Sequence, residues 1–376
     1  MRKLLFILFG VLSLEFALCQ DKNNSRPQTP VPPFPYKTDS LVYRSLADSL
    51  VYGVTLTIPD GKGPFPAIIL ITGSGAQDRN EAILRHQPFA VIADYLTRQG
   101  YLVMRVDDRG IGLSNGNFAA ATTYDFASDV EQHIAFLQKR KDVNKQKIGL
   151  LGHSEGGMIA PLVAVKHRDI SFVILLAGPG IPVGKLMAEQ NYAVLKASGI
   201  DSLAALSYSR FFEKAIPKVA AASDTGTAKA GLVADLKAWQ ANENPNRVIA
   251  TTGIHDEKSL DNYVKLVVKR IYTPWFRAFL LFDPQPNLRK LQCKVLALNG
   301  SRDIQVLPAS NLQGIRESLA AGGNKHYVVE EVPGLNHLFQ TCKACTLMEY
   351  GVITETVSPL ALELMRNWLQ KEINGK

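Results

Sequence analysis

The feature that most restricts the fold of this chain is a short, largely apolar run that ends in Gly-x-Ser-x-Gly. Residues 147–151 form the run, Gly152 and Gly156 flank the motif, and small and apolar residues follow it. This order predicts a β-strand, a sharp turn and an α-helix, with the serine hydroxyl held clear of the backbone. Glycine suits both flanking positions because side chains there would collide where the chain reverses. Ser154 is therefore the candidate nucleophile, and the alternative is that it only caps the helix.

A serine hydroxyl is a weak nucleophile at neutral pH, so a histidine must take its proton and a carboxylate must orient that histidine. After a strand, turn and helix of this kind, the expected order is Ser, then Asp or Glu, then His, each on a loop that follows a strand. Asp303 follows the apolar run 294–298 and a loop that contains glycine. It is the candidate acid, and Asp283 and Glu330 are the alternatives.

Position along the chain separates the seven histidines. His337 follows the β-branched run 327–332 and a Pro-Gly turn, so it lies after the candidate acid and at the carboxyl end of a strand. His153 lies inside the serine motif, where its ring cannot easily turn back onto Ser154. The others fall in helical patterns, in polar stretches or before a strand: His86, His133, His167, His255 and His326. His337 is the candidate base, and a hydrogen-bonded surface histidine is the alternative.

Acyl transfer also needs N–H donors aimed at the oxygen that becomes negative in the tetrahedral intermediate. The backbone N–H of Glu155, directly after the nucleophile, is one expected donor. The second is expected from the loop after the apolar run 66–71, where Gly73 and Gly75 leave the backbone open to a substrate. Ser74 is the predicted donor, with Gly75 as the alternative, and an ordinary glycine turn is the competing interpretation.

Beyond residue 43, apolar runs alternate with helical patterns, as in a parallel sheet with crossover helices. The predicted strands are 51–58, 67–71, 101–106, 147–151, 172–176, 294–298 and 327–332. From residue 182 to about 283 helical periodicity replaces this alternation, which predicts a helical lid over the nucleophile. The predicted domains are a signal peptide at 1–19, a flexible leader at 20–40, an α/β core at 41–181, a helical cap at 182–285 and the rest of the core at 286–376.

The last part of the predicted cap, residues 273–282, is rich in aromatic side chains. Apolar walls with few polar groups are typical of ligand sites, so Trp275, Phe276 and Phe279 are predicted to line an acyl pocket. Packing between the cap and the core is the alternative.

The amino terminus has the pattern of a cleavable secretory signal. Arg2 and Lys3 precede a largely apolar stretch at 4–18, which is too short for a comfortable membrane span. We therefore expect export to a bacterial periplasm or beyond, without stable membrane insertion after cleavage. Lipid attachment at Cys19 is the less favoured alternative, because Leu18 is bulky where a lipidation site needs a small residue.

The remaining composition argues against other classes of protein. The net charge is +8, but the basic residues form no motif interleaved with aromatics, so we expect no nucleic-acid partner. Cys342 and Cys345 have the spacing of a redox motif without the strand-to-helix setting that activates a thiol, which favours a local disulfide or two unreactive thiols. Zinc would need two further ligands. We expect neither a metal nor a cofactor, and the oligomeric state is not predicted.

Four motifs, in order, resemble those of the α/β-hydrolase superfamily: TGSGAQDR at 72–79, DDRGIGLS at 107–114, GHSEGG at 152–157 and LNHLFQ at 335–340. More narrowly, they resemble its serine-aminopeptidase-like (S33-type) branch, which includes EstD-like bacterial carboxylesterases. The chain has Thr72-Gly73 where many relatives carry His-Gly. In the 107–114 loop, Asp107 and Arg109 are predicted to pair.

The resemblance extends from about residue 43 to the final helix. It implies an eight-stranded, mostly parallel sheet flanked by helices and a helical cap inserted after the sixth strand. It also implies a triad of Ser154, Asp303 and His337, and hydrolysis of small carboxylic esters without a cofactor.

The functional hypothesis is thus a secreted serine hydrolase that forms an acyl-enzyme. An aminopeptidase or amidase is an alternative and would need an acidic cap residue for the substrate ammonium, such as Glu189, Glu213 or Asp235. A thioesterase acting on acyl-CoA conflicts with export, and a non-catalytic binding module conflicts with three intact triad candidates.

Overall fold

The computed structural model describes residues 26–375, which contain one eight-stranded sheet. Its strands are β1 (Tyr36–Arg44), β2 (Val51–Pro59), β3 (Phe65–Ile71), β4 (Leu102–Val106), β5 (Val143–His153), β6 (Ile170–Leu176), β7 (Lys294–Gly300) and β8 (Tyr327–Val332). The spatial order is β1-β2-β4-β3-β5-β6-β7-β8. The β1–β2 and β2–β4 pairs are antiparallel, and every other pair is parallel. The prediction of an eight-stranded, mostly parallel sheet is confirmed.

The helices of the described residues are α1 (Pro88–Arg98), α2 (Thr123–Gln138), α3 (Gly156–Lys166), α4 (Val183–Ala197), α5 (Ser202–Ala221), α6 (Thr225–Gln240), α7 (Pro245–Thr252), α8 (Glu257–Ile271), α9 (Pro274–Leu280), α10 (Gln285–Leu288), α11 (Pro308–Ala321) and α12 (Pro359–Leu369). Short 3-10 helices lie at Phe118–Ala120 and Leu347–Glu349, and a short π-helix follows α12 at Gln370–Asn374. Within residues 26–375, we find no helix that is both long enough and apolar enough to span a bilayer.

Helices cover both faces of the sheet, which explains why its central strands are almost continuously apolar. Side chains such as Ile69 and Leu150 belong to the core on one face, together with residues of α2, α3 and α11. Their chain neighbours Ile68 and Leu151 point to the other face and pack with α1 and α12. The carboxyl ends of the parallel strands therefore carry loops that a rigid, doubly covered sheet holds in place.

The segment predicted as a flexible leader, 20–40, includes the first residues of strand β1 and an arginine that binds distant loops. β1 begins at Tyr36, whose buried ring carries a hydroxyl that donates to Asp94 at 2.8 Å. Arg26 donates hydrogen bonds to the carbonyl oxygens of Leu84, Gly351 and Ile353. These carbonyl groups belong to loops far along the chain. The polar, proline-rich composition of the predicted leader therefore did not reveal the hydrogen bonds of Arg26. Residues 20–25 and the predicted signal peptide lie outside the described residues.

The chain separates into two compact units. The larger contains the sheet, and the smaller combines Ala119–Thr122 with Ile181–Asp283. Helices α4 to α9 fall in the smaller unit, between β6 and β7 in sequence, where a helical cap was predicted at 182–285. In α8, side chains at helical spacing are buried within this unit: Leu260, Val264, Val267 and Ile271. That the unit acts as a lid stays a prediction.

Candidate active site

Ser154 lies at a sharp turn between β5, which ends at His153, and α3, which begins at Gly156. Its backbone φ of 52° is in the left-handed region, which non-glycine residues adopt only at a cost. The Ser154 N–H donates to the carbonyl oxygen of Leu176 at the end of β6, at 2.9 Å. The strained conformation is therefore fixed by the sheet itself, as expected of a nucleophile at such a turn.

Close packing explains the two glycines of the serine motif. A Cβ on Gly152 would lie 2.0 Å from the carbonyl oxygen of Gly156. A Cβ on Gly156 would lie 2.2 Å from the carbonyl oxygen of Ile71, on the neighbouring strand β3. Both obstacles are backbone atoms, so no side-chain rotation relieves them, and α3 reaches the sheet this closely only with glycine at both positions.

Asp303 and His337 lie on the loops after β7 and β8, and the structure brings them together. His337 Nδ1 lies 2.8 Å from Asp303 Oδ2, and each residue is only 3% exposed. Asp303 Oδ1 accepts the N–H groups of Gln305 and Val306 at 2.7 and 3.0 Å. The carboxylate is therefore oriented by its own loop. Because Nδ1 faces the carboxylate, Nε2 is the histidine nitrogen that is able to serve a nucleophile.

Ser154, the third member of the predicted triad, makes no hydrogen bond to the Asp303–His337 pair. The ring of His153, the residue before Ser154, lies 4.9 Å from the His337 ring between centroids. Within the described residues, no hydrogen bond joins Ser154 to His337. A bond of this kind is often long or poorly aligned before substrate binds. The aspartate–histidine pair is thus formed, whereas the serine–histidine contact stays a prediction.

The loop after β3 lies beside the nucleophile, where oxyanion donors are expected. A Cβ on Gly73 would lie 3.3 Å from the Ser154 Cβ. The N–H of Gly73 donates to Glu81 Oε1 at 2.6 Å, so this amide is already used. Gly75 has a φ of 105°, which favours glycine. The roles of Ser74 and Gly75 as donors stay predictions.

The other expected donor, Glu155, is the first residue after the nucleophile and is 2% exposed. Its carboxylate accepts a hydrogen bond from Thr123 Oγ1 at 2.7 Å, which fixes the side chain beneath the turn. The role of its main-chain N–H as an oxyanion donor stays a prediction.

Asp108 holds the loop after β3 through its side chain, and no sequence pattern had singled it out. Its Oδ1 accepts from Thr72 Oγ1 at 2.7 Å, and its Oδ2 accepts from the Gln77 N–H at 2.9 Å. The Asp108 N–H returns a bond to the Gln77 carbonyl oxygen at 3.1 Å. Burial raises the pKa of Asp108 to about 8, with a smaller contribution from nearby Glu155 and Glu81.

The predicted pairing of Asp107 with Arg109 is wrong. Asp107 instead accepts from Arg79, with Nη2–Oδ2 and Nε–Oδ1 distances of 2.5 and 2.9 Å. Arg109 binds Asp129 on α2, with an Nη2–Oδ1 distance of 2.6 Å. Each side chain therefore connects the 107–114 loop to a different element, which adjacency in sequence did not reveal.

His153, which sequence reasoning left without a role, has partners on both ring nitrogens. Its Nδ1 lies 3.0 Å from Glu81 Oε1, and its Nε2 lies 3.0 Å from the carbonyl oxygen of His337. Burial alone would lower the pKa of His153, but Glu81 and the His337 carbonyl offset this and raise it. The only feature of the sequence that could have pointed to a role for His153 was its position next to the nucleophile.

The predicted acyl-pocket aromatics lie in the smaller compact unit, on and around α9. The rings of Trp275 and Phe279 stack at 5.0 Å, and Phe276 packs edge-on against Trp275 at 5.3 Å. All three side chains are buried. Much of their surface is thus used for packing within the unit, and their contact with a substrate stays a prediction.

The sequence left Cys342 and Cys345 as either a local disulfide or two unreactive thiols. The structure contains the disulfide. Cys293 is the one free cysteine of the described residues, and burial raises its pKa to about 12. A thiol with so high a pKa is protonated and unreactive at neutral pH.

Comparison with known proteins places most of the chain in one family. The family described as serine aminopeptidase, S33, matches residues 84–340. That range includes Ser154, Asp303 and His337. A curated relative, esterase EstD from Thermotoga maritima, is 33% identical over 135 residues, which are 36% of this chain and 32% of that protein. The match thus spans about a third of the length of either protein.

Solved structures show the same fold at low identity. The α/β hydrolase GrgF from Penicillium sp. is 14% identical with a TM-score of 0.53, over 90% of this chain and 99% of that one. An esterase from Pyrococcus furiosus is 13% identical with a TM-score of 0.52, over 90% of this chain and 92% of that one. Sheet order, strained serine turn and family match agree: the chain belongs to the S33 serine-aminopeptidase-like family of α/β hydrolases.

Proposed function

We propose that this protein is a serine hydrolase that cleaves carboxylic esters through an acyl-enzyme on Ser154. One observation carries the proposal: the buried His337–Asp303 pair lies on the loops after β7 and β8, with a 2.8 Å contact between Nδ1 and Oδ2. The relative named an esterase supports the choice of ester over other acyl substrates.

In the proposed reaction, Ser154 Oγ attacks the ester carbonyl carbon while His337 Nε2 takes the hydroxyl proton. Asp303 stabilises the resulting imidazolium through Nδ1. The imidazolium then gives its proton to the alcohol oxygen, the carbon–oxygen bond breaks, and the acyl group stays on Ser154. A water molecule, deprotonated by His337, then attacks the acyl carbon. The bond from this carbon to Ser154 Oγ breaks, Oγ takes the proton back from His337, and the carboxylic acid is released.

The negative oxygen of each tetrahedral intermediate needs donors, and we assign them to the main-chain N–H groups of Glu155 and Ser74. Gly75 is the alternative for the second donor. Gly73 is not assigned because its N–H already donates to Glu81. Loss of one such donor typically raises the barrier by about 3 kcal/mol.

Substrate choice is proposed to come from the inserted helices acting as a lid, with an apolar wall at Trp275, Phe276 and Phe279. A basic surface, from a net charge of +8, would attract anionic esters. The same lid would have to supply an ammonium-binding carboxylate if the protein were an aminopeptidase. Two of the candidate ammonium-binding carboxylates are poorly suited to this role. Asp235 already pairs with Lys218 at 3.0 Å, and Glu213 is exposed to solvent.

A substrate panel tests the proposal. Wild-type protein is assayed with p-nitrophenyl esters of increasing acyl length, matched thioesters and amino-acid p-nitroanilides. We expect turnover of esters, with anilide turnover lower by orders of magnitude. Ser154→Ala should abolish turnover, whereas the control Ser40→Ala, on edge strand β1, should retain it. Faster release of nitroaniline than of nitrophenol would contradict the esterase proposal and favour an aminopeptidase.

We further propose export, directed by residues 1–19 and followed by cleavage after Cys19. The Cys342–Cys345 disulfide supports an oxidising compartment. Mass spectrometry of the intact protein from the periplasm and medium should give an amino terminus at Gln20. A retained Met1, or a lipid on Cys19, would contradict this assignment.

A further inference from the structure

Glu81 is a buried acid in the loop between β3 and α1, and its carboxylate contacts two parts of the site. The residue is 5% exposed, and its φ of 52° is unfavourable for a side chain of this kind. Its Oε1 accepts the Gly73 N–H at 2.6 Å and faces His153 Nδ1 at 3.0 Å. One oxygen atom thus holds both the oxyanion loop and the residue that precedes the nucleophile.

His153 extends this connection to the loop of the catalytic base. Its Nε2 faces the main-chain carbonyl oxygen of His337 at 3.0 Å. Both atoms that its ring nitrogens face, a carboxylate oxygen and a carbonyl oxygen, are acceptors. A neutral imidazole has one N–H and would leave one contact unmade, whereas an imidazolium donates to both. With Glu81 ionised, the geometry therefore favours the charged ring.

The charge on His153 is compensated from several elements around it. Glu81 bonds to it directly, and Asp303 contributes from the loop after β7. The titratable ring of His337 lies 4.9 Å away from the loop after β8. Asp108 couples electrostatically to Glu81 and to Glu155, but its pKa of about 8 leaves it largely uncharged at neutral pH. Glu81 and Asp303 are thus the carboxylates that favour the protonated form of the His153 ring.

We propose that Glu81 and His153 form a buried ion pair that positions the oxyanion loop and the His337 loop relative to Ser154. The inference rests on the proposed function, because it assigns these residues to the same reaction. Neither residue touches the reacting atoms. They act through Gly73, which precedes the proposed oxyanion donor Ser74, and through the backbone of His337. The Glu81–His153 pair therefore positions both the oxyanion donor Ser74 and the base His337, and movement of either loop disturbs the other.

Nitrogen NMR tests the charge state without reference to activity. Wild-type protein labelled with 15N-histidine should show His153 with both ring nitrogens protonated at neutral pH, and the His153→Asn spectrum identifies its signals. In Glu81→Gln the ring should become neutral, because burial then dominates its pKa. A wild-type His153 with a single protonated nitrogen would overturn the ion pair, and this result needs no stable variant.

Kinetics test the positioning role. Displacement of a reacting group by about 1 Å costs up to about 100-fold in rate. We expect Glu81→Gln and His153→Asn to lower kcat by about 10-fold to 100-fold, with KM changed by less than about threefold. The matched control is His133→Asn. His133 is a buried histidine on α2 that bonds to the Tyr43 hydroxyl and to neither loop.

The outcomes separate this inference from the proposed function. If the wild type turns esters over and Glu81→Gln keeps its kcat per folded molecule, the positioning role is wrong while the esterase proposal stands. If folded wild type turns over no ester, the esterase proposal fails, and the nitrogen spectrum still decides whether the ion pair exists. A loss of kcat equal to that of His133→Asn would also overturn the positioning role.

Discussion

At the scale of single residues, the Asp303 carboxylate orients His337 through Nδ1. Asp303→Asn keeps the size of the side chain but permits the wrong histidine tautomer. We expect kcat to fall by about 10,000-fold with little change in KM. Glu330→Gln is the control, because this alternative acid is exposed on β8. Steady-state ester hydrolysis measures both, and a larger loss in Glu330→Gln would reassign the acid.

Asp108 gives the free energy of unfolding a pH dependence. Its pKa is raised to about 8 by burial, so between about pH 4 and that value the folded protein holds a proton that the unfolded chain has lost. This group therefore destabilises the fold progressively as the pH rises through that range.

Asp108→Asn removes this titration and can still accept from the Gln77 N–H. From about pH 5 to about pH 8, the stability of the variant should rise relative to the wild type by at least about 1 kcal/mol. Urea unfolding at both pH values measures the change. A stability difference that is independent of pH would show that the carboxyl group titrates as in the unfolded chain.

A site residue was predictable when the pattern that identified it lay close to it in the sequence. Ser154 lies in a local motif, and Asp303 and His337 follow strands in the expected order. Glu81 and His153 have no comparable signal, because they contact each other and the main-chain groups of Gly73 and His337, which come together only in the folded chain. Asp107 and Arg109 show the same limit, since neighbours in sequence bind partners on separate elements.

At the scale of elements, the β5–α3 turn depends on close backbone contacts. Gly156→Ala places a Cβ 2.2 Å from the Ile71 carbonyl oxygen, so we expect a loss of stability of about 3 kcal/mol or more and loss of ester turnover. Gly231→Ala, in α6, is the matched control because a Cβ there meets nothing within 4 Å. It should gain about 0.5 to 1 kcal/mol. Thermal unfolding compares the two, and equal effects would refute the packing argument.

Strands that are buried on both faces were predictable from apolar runs, whereas β1, one of the two edge strands of the sheet, was not. Strand β1 has one partner, β2, and its side chains are mostly exposed or half-buried. Polar residues therefore occupy much of it, and its amino-terminal half was assigned to a leader. The helices between β6 and β7 were recognised because their apolar residues recur at helical spacing, as in α8.

At the scale of the whole molecule, Arg26 connects the amino-terminal segment to loops far along the chain. Its guanidinium donates to carbonyl oxygens of Leu84, Gly351 and Ile353 at 2.7 to 3.0 Å. We expect Arg26→Ala to lower the free energy of unfolding by about 1 to 3 kcal/mol. Arg44→Ala is the control, because Arg44 makes one exposed bond, to Ser49, and should cost less than about 0.5 kcal/mol. Equal urea midpoints for the two variants would contradict the anchoring role.

The central claim is that Ser154 acts as the nucleophile, supported by His337 and Asp303. The most direct measurement is reaction of the folded protein with a fluorophosphonate, followed by digestion and mass spectrometry of the adduct. We expect one equivalent of label on Ser154, and labelling slowed by orders of magnitude in His337→Ala. Folded protein that stays unlabelled, or that carries the label on another residue, would contradict it.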